Sequence, residues 1–293
     1  MAVGERDAHS GYMTTGHEWN GITELNSPVP RVVYFFLIVT ALFAVVYWVL
    51  MPAWPLGLTY TKGLLGIDQR TIVSESLKRA ALDRATWTRR IEVESYQAIQ
   101  ADPKLMTIVR QTGHTLFGDN CAACHGFDAK GGKGYPNLTT ASWLWGGDPE
   151  TIAETIRVGI NSTHPKTRVA QMLAFGRDRI LSPSEVGNVV GYVQTLSDPA
   201  AARQIPPAKL EAGKVAFAAN CTSCHGDDGK GKAELGAPNL TGKSWIYGGD
   251  AESISTSVWS GRQGHMPAWE SRLGVVERKI LVLYLVDLRA PGP

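Results

Sequence analysis

What the chain lacks narrows its function before any motif is read. Its 293 residues carry 29 Lys+Arg against 27 Asp+Glu, a formal net charge of +2. The surplus of positive charge that marks a nucleic-acid binder is missing. Charged residues make up only 19 % and hydrophobic ones 44 %, a balance that excludes wholesale disorder. Cysteine is scarce: the four are Cys121, Cys124, Cys221 and Cys224. They fall in two equally spaced pairs, each followed at once by His, so a disulfide-stapled small fold is not the frame. At about 150 residues per domain, the length suggests two domains.

One long apolar run is present. Val32 to Met51 reads VVYFFLIVTALFAVVYWVLM, twenty residues without a charge. As a helix it spans about 30 Å, the thickness of a bilayer's hydrocarbon core. Tyr34, Phe35 and Phe36 flank one end and Tyr47, Trp48 and Trp54 the other, as interfacial aromatics do. Pro52 and Pro55 stop the helix. A soluble core helix is seldom apolar on every face. A secretory signal would begin nearer the terminus and end in a small-residue cleavage site, which is absent here. A retained single-span anchor is expected over residues 32–52. Arg6 and Arg31 on one side, against Lys62 and Arg70 on the other, leave its orientation open by charge.

Beyond the anchor, residues 53–105 read as a connector. Ala53 to Gly66 is apolar with prolines and glycines, an exit that hugs the membrane surface. Ile72, Leu77, Ala81, Leu82, Trp87, Ile91 and Val93 then recur among Lys78, Arg79, Arg84, Arg89 and Arg90, a helical pattern with a charged outer face. A solvated spacer and a docking segment fit that pattern equally.

The chain then repeats itself. Gly113, Phe117, Asn120, Cys121, Cys124, His125 and Gly126 return 100 positions later as Gly213, Phe217, Asn220, Cys221, Cys224, His225 and Gly226. Pro136-Asn137-Leu138 returns as Pro238-Asn239-Leu240, and Trp145-Gly146-Gly147-Asp148 as Tyr247-Gly248-Gly249-Asp250. Each copy ends in an apolar helical stretch, Val186 to Leu196 and Val276 to Leu288. Two domains are expected, 106–200 and 201–293, joined by the stiff Pro199 to Pro207 passage.

Cys-x-x-Cys-His is the attachment sequence of a c-type haem. Residues i and i+3 share a helical face, so two thiols reach the two vinyl groups of one porphyrin, and the His at i+4 ligates the iron. Zinc would need four ligands per site, and the second pair of each knuckle is missing. A thioredoxin-like pair would sit in a βαβ pattern, which is also missing. The expected cofactors are two covalently bound haem c groups, on Cys121, Cys124 and His125 and on Cys221, Cys224 and His225. The second axial ligands must come from later in each copy. Met266, in Gly264-His265-Met266-Pro267, and Met172, in Ala170-Gln171-Met172-Leu173, are the candidates, with His164 and His265 as rivals. A thioether raises the potential of the iron. The Pro136 and Pro238 carbonyls are expected to hold the axial His rings, with Leu138 and Leu240 packing on the porphyrins. Gly113 and Gly213 allow the first helix to approach the last, where Tyr192 and Tyr284 are the aromatic partners. Pairing each Met with the His of its own repeat is the simplest assumption, and a crossed arrangement between adjacent domains is the alternative.

Each repeat resembles a class I cytochrome c domain. The whole chain is similar to subunit III, the membrane-anchored dihaem subunit of cbb3-type cytochrome c oxidases. The resemblance extends over Pro28-Val29-Pro30-Arg31, the exit Pro52-Ala53-Trp54-Pro55-Leu56, Thr61 to Gly66, and Gly159-Ile160-Asn161-Ser162-Thr163-His164-Pro165. Leu173, directly after Met172, departs from the pattern. The fold so implied is mainly α: one N-terminal transmembrane helix followed by two tandem class I cytochrome c domains. The resemblance also implies a bacterial inner membrane, residues 1–31 cytoplasmic, and a periplasmic connector and haem domains. It implies as partners the catalytic and monohaem subunits of such an oxidase, together with a c-type cytochrome donor or the bc1 complex. Iron ligated on both faces leaves no open position for a substrate, which points to an electron relay rather than a catalyst. A free-standing dihaem shuttle, a dihaem peroxidase and a haem-based sensor are the competing readings.

Overall fold

The computed structural model describes residues 4–289. The ends of the first and last expected segments, residues 1–3 and 290–293, lie outside the described residues. Two compact units divide between Asp83 and Arg84.

In the first unit, strands β1 (Thr14–Trp19) and β2 (Ile22–Leu25) form an antiparallel hairpin. Asn20-Gly21, a strong hairpin signal outside the expected elements, forms its turn. Both turn residues have positive φ, 52° and 87°, as that turn requires. Helix α1 (Arg31–Leu50) follows, with a mean hydropathy of 2.5 and no part of its apolar window buried within the protein. It stops at Leu50, because Pro52 restricts the residue before it to extended backbone. The exit folds back on the helix end through Leu64 N–H to Val49 O at 3.0 Å and Leu65 N–H to Leu50 O at 3.1 Å. Helix α2 (Gln69–Val93) occupies the expected connector. Its residues from Arg84 on belong to the second unit, where Ile91 is fully buried.

The second unit is helical. After α3 (Tyr96–Gln100), the first repeat runs α4 (Pro103–Asn120), α5 (Ala122–His125), α6 (Pro149–Val158) and α7 (Pro183–Ser197). The second runs α8 (Pro207–Asn220), α9 (Thr222–His225), α10 (Ala251–Ser260) and α11 (Val275–Leu288). The repeated Gly-Gly-Asp proves to be a capping device. Asp148 accepts from Thr151 N–H at 2.8 Å and Asp250 from Ser253 N–H at 2.9 Å, satisfying first-turn donors of α6 and α10.

The two repeats exchange their last helices. Helix α11 packs on α4 and α6, and α7 packs on α8 and α10. One core therefore joins Val109, Phe117, Ile152 and Ile156 to Trp269 and Ile280–Leu285. The other joins Val186, Val189, Val190 and Val193 to Phe217, Leu240, Ile254 and Val258. The close approaches expected at the helix glycines occur across the repeats. A Cβ on Gly113 would lie 2.7 Å from Tyr284 Cβ, and one on Gly213 would lie 2.1 Å from Asn188 O. Phe117 meets Tyr284 at 5.9 Å between ring centroids, and Phe217 meets Tyr192 at 5.3 Å.

Gly113→Ala is expected to cost about 1–3 kcal/mol in thermal or denaturant unfolding through overpacking. Combined with Tyr284→Ala, which removes the ring atoms at 2.8 and 3.1 Å, it should be non-additive. Combined with Tyr192→Ala it should be additive, and coupling to Tyr192 instead would refute the exchange.

Candidate functional site

The site is built at the ends of α4 and α8. Each helix closes at the Asn before the first Cys, whose side chain donates back to a last-turn carbonyl: Asn120 to Leu116 O and Asn220 to Ala216 O, both at 2.9 Å. The chain then turns into α5 and α9, one helical turn each, which carry the second Cys and the His. Cys121 and Cys221 are half-buried, while Cys124 and Cys224 are exposed. Burial pushes the Cys121 and Cys221 thiols up to about 11. A redox-active Cys pair needs the opposite shift, towards a thiolate at neutral pH. Among the described residues, no group of three or more His, Cys, Asp or Glu could hold a metal ion.

Both histidines are oriented as the Pro-Asn-Leu segments foretold. His125 Nδ1 lies 3.2 Å from Pro136 O, and His225 Nδ1 lies 3.0 Å from Pro238 O. A carbonyl can only accept, so Nδ1 carries the proton and Nε2 presents its lone pair, the state a metal requires. Burial lowers the pKa of both rings and keeps them neutral. The Asn of each segment rigidifies the turn: Asn137 Oδ1 accepts from the amide and hydroxyl of Thr139, and Asn239 Oδ1 from those of Thr241.

Facing His125 is an apolar cavity whose walls include Phe117, Cys121, Leu138, Ile156, Met266 and Trp269. The methionine in this cavity comes from the second repeat. Met172, from the first, packs instead against the second core, the one that holds Phe217 and that Cys221 also packs against. Short strand pairs hold the exchange. Ile160 and Met266 donate to each other's carbonyls at 2.9 Å in both directions. Met172 N–H donates to Arg262 O at 2.8 Å and Arg262 N–H to Met172 O at 3.1 Å. Gly159 and Gly261, both at φ 70°, admit these strands: a Cβ at either would stand 2.4 Å from the facing methionine carbonyl oxygen.

His164 is engaged at both ring nitrogens. Its Nδ1 accepts from Lys166 N–H at 3.0 Å, so Nε2 carries the proton and donates to Glu270 at 2.8 Å. Arg157 reaches the other Glu270 oxygen at 2.8 Å. His164 and Arg157 together hold the Glu270 carboxyl down at about 2. His265, next to Met266, is exposed.

Sequence reasoning missed a set of donors around Trp143–Gly147. Trp145 Nε1, Arg168 Nε and Arg289 Nε are buried without a hydrogen-bond partner. Arg168 stacks on the Trp145 ring at 4.9 Å, and Arg289 on the Trp143 ring at 4.8 Å. Burial lowers the pKa of both arginines. Buried donors without acceptors are costly, and three gathered on one segment suit carboxylate oxygens. A porphyrin bearing carboxylates, held by two thiols, a neutral imidazole and a thioether in an apolar cavity, fits this set of residues. The only signal in the sequence was the repeated Trp/Tyr-Gly-Gly-Asp, which did not reveal the arginines.

Comparison with known proteins agrees with this chemistry. Residues 11–57 match the N-terminal domain of cytochrome oxidase-cbb3, FixP; residues 111–197 match cytochrome c; residues 208–285 match cytochrome c oxidase, cbb3-type, subunit III. The chain is 44 % identical over 284 residues to a cbb3-type cytochrome c oxidase subunit FixP of Bradyrhizobium sp. (strain ORS 278), covering 97 % of each chain. It is 43 % identical over 282 residues to the FixP subunit of Azorhizobium caulinodans, covering 96 % of this chain and 94 % of that one. It is 39 % identical over 295 residues to the CcoP subunit of Azospirillum brasilense, covering 98 % and 99 %. Cytochrome c domains bind haem c, and a subunit of this oxidase works in a membrane-associated complex with others. A haem-bearing anchor subunit is thus what the residues and the relatives both describe, and the chain belongs to the FixP/CcoP family, subunit III of cbb3-type cytochrome c oxidases.

Proposed function

We propose that the chain relays electrons within a cbb3-type oxidase through two haem c groups with exchanged methionine ligation. One haem would be held by Cys121, Cys124 and His125 with Met266 as its sixth ligand, the other by Cys221, Cys224 and His225 with Met172. The observation that carries this reading is the cavity that brings Met266, rather than Met172, before His125. When bound, each haem supplies one-electron oxidation and reduction of its iron.

The chain's own residues supply the rest. Pro136 and Pro238 fix the imidazole tautomers, and Leu138 and Leu240 exclude water. Trp145, Arg168 and Arg289, whose buried nitrogens have no partner, would hold haem carboxylates. A thioether from Met266 or Met172 would favour reduced iron and exclude small ligands. The Arg157–Glu270–His164 cluster, four residues beyond Met266, clamps that ligand's loop to the first repeat.

Electrons would enter from a c-type cytochrome or the bc1 complex and leave to the monohaem and catalytic subunits. On this reading the N-terminus lies in the cytoplasm and the haem domains in the periplasm of a bacterial inner membrane. The support is chemical: c-type haem is attached on the outer face, and α1 is a single apolar span.

In protein carrying only the first haem (Cys221→Ser with Cys224→Ser), Met266→Ala should abolish the thioether–iron absorption of the ferric form and Met172→Ala should spare it. The reverse pattern would return each methionine to its own repeat. Reduced wild-type protein should not bind carbon monoxide, while Met266→Ala should bind it at one haem. Because Glu270 titrates below the usual carboxylate range near 4.3, its clamp stabilises the fold above that range and is lost as pH falls towards about 2. Glu270→Gln should therefore flatten the loss of stability between about pH 4 and 2, measured by denaturant unfolding at each pH.

A further inference from the structure

The residues from Asn161 to Pro165 do not recur in the second repeat, and the electron relay gives Asn161 no part. Asn161 has φ 48°, a left-handed conformation that Asn tolerates better than most side chains. Its carboxamide is fully engaged. Nδ2 donates to Ala170 O at 2.8 Å and to Gly264 O at 2.7 Å, and Oδ1 accepts from Ala170 N–H at 3.2 Å. The two carbonyls can only accept and the amide can only donate, so the partners dictate the orientation of the carboxamide.

The partners themselves are informative. Ala170 lies two residues before Met172, and Gly264 lies two residues before Met266. One side chain thus ties together the two strands that bear the sixth ligands. Gln263, which follows Arg262 as Asn161 follows Ile160, is exposed. A residue that reaches both strands between two related repeats is needed only once, which explains why the pattern breaks here.

We infer that Asn161 is a positioning residue shared by both methionine ligands, setting thioether ligation at the two haems together. The inference rests on the exchanged ligation proposed above. With Asn161 intact, each strand is held by its backbone pair and by this amide. Without it, both strands lose a tether two residues from the ligand, and both sixth ligands loosen.

The test uses the full-length, haem-loaded protein. Asn161→Gly keeps the left-handed backbone available and removes the amide. Asn161→Asp keeps the size and one acceptor but loses both donations. Thioether–iron absorption and potentiometric titration are compared with Met172→Ala and Met266→Ala, each of which should remove one haem's share of the absorption. Both Asn161 variants should weaken that absorption beyond one haem's share and lower both midpoint potentials, with haem content unchanged. A change confined to one haem, or no change in either variant that folds, overturns the inference. Failure of the two methionine variants to lose absorption would instead overturn the ligation on which it rests.

Discussion

The second unit depends on a short connection between two helices. Asp198 to Pro206, mostly a 3₁₀ helix from Pro199 to Gln204, delivers the chain from α7 straight into α8. Two consecutive helices joined so briefly pack against each other. Ile205 lies against Gly191 and Leu196 against Gly229, extending the contact to both sides of the linker. Once α7 covers α8, the apolar face of α4 has no partner within its own repeat. Helix α11 covers it, and the exchange of methionines follows because each lies in the approach to its terminal helix.

Exchange changes what the two repeats are to one another. Tandem cytochrome domains with separate cores could move independently. Here, each core takes its first helices from one repeat and its last from the other, so neither completes its apolar core alone. Arg110 of the first repeat pairs with Asp287 of the second at 2.8 Å, adding an exposed and correspondingly weak contact along α4 and α11. The proposed relay would gain from such a frame, because cofactors held by one interlocked unit would keep a constant separation. The interlock also places the methionine-bearing strands next to one another, where one residue, Asn161, touches both.

The electrostatics serve the same end. The unit leaves three buried nitrogens without acceptors on or beside one short segment, and two belong to arginines. A fold bears such a cost where a bound anion removes it. The same residues stack on Trp143 and Trp145, which fixes the planar guanidinium groups before any anion arrives.

Much was legible in the residues alone. The apolar span, the doubled Cys-x-x-Cys-His, the two late methionines and the proline carbonyls beneath the histidines all rest on local spacing, and local spacing determines which groups share a turn. The hairpin at Asn20-Gly21 was equally local and simply passed over. What the sequence by itself could not decide was the pairing of repeats. Both copies carry the same glycine on the first helix and the same tyrosine on the last, so own and exchanged packing satisfy one pattern equally. Only the tertiary structure chose between them, through the path of a nine-residue linker, from Asp198 to Pro206, that leaves α7 beside α8. Arg289 and Asn161 stayed hidden for the same reason: their roles arise from atoms brought together across that exchange, Arg289 on Trp143 and Asn161 on Gly264, and no periodicity records it.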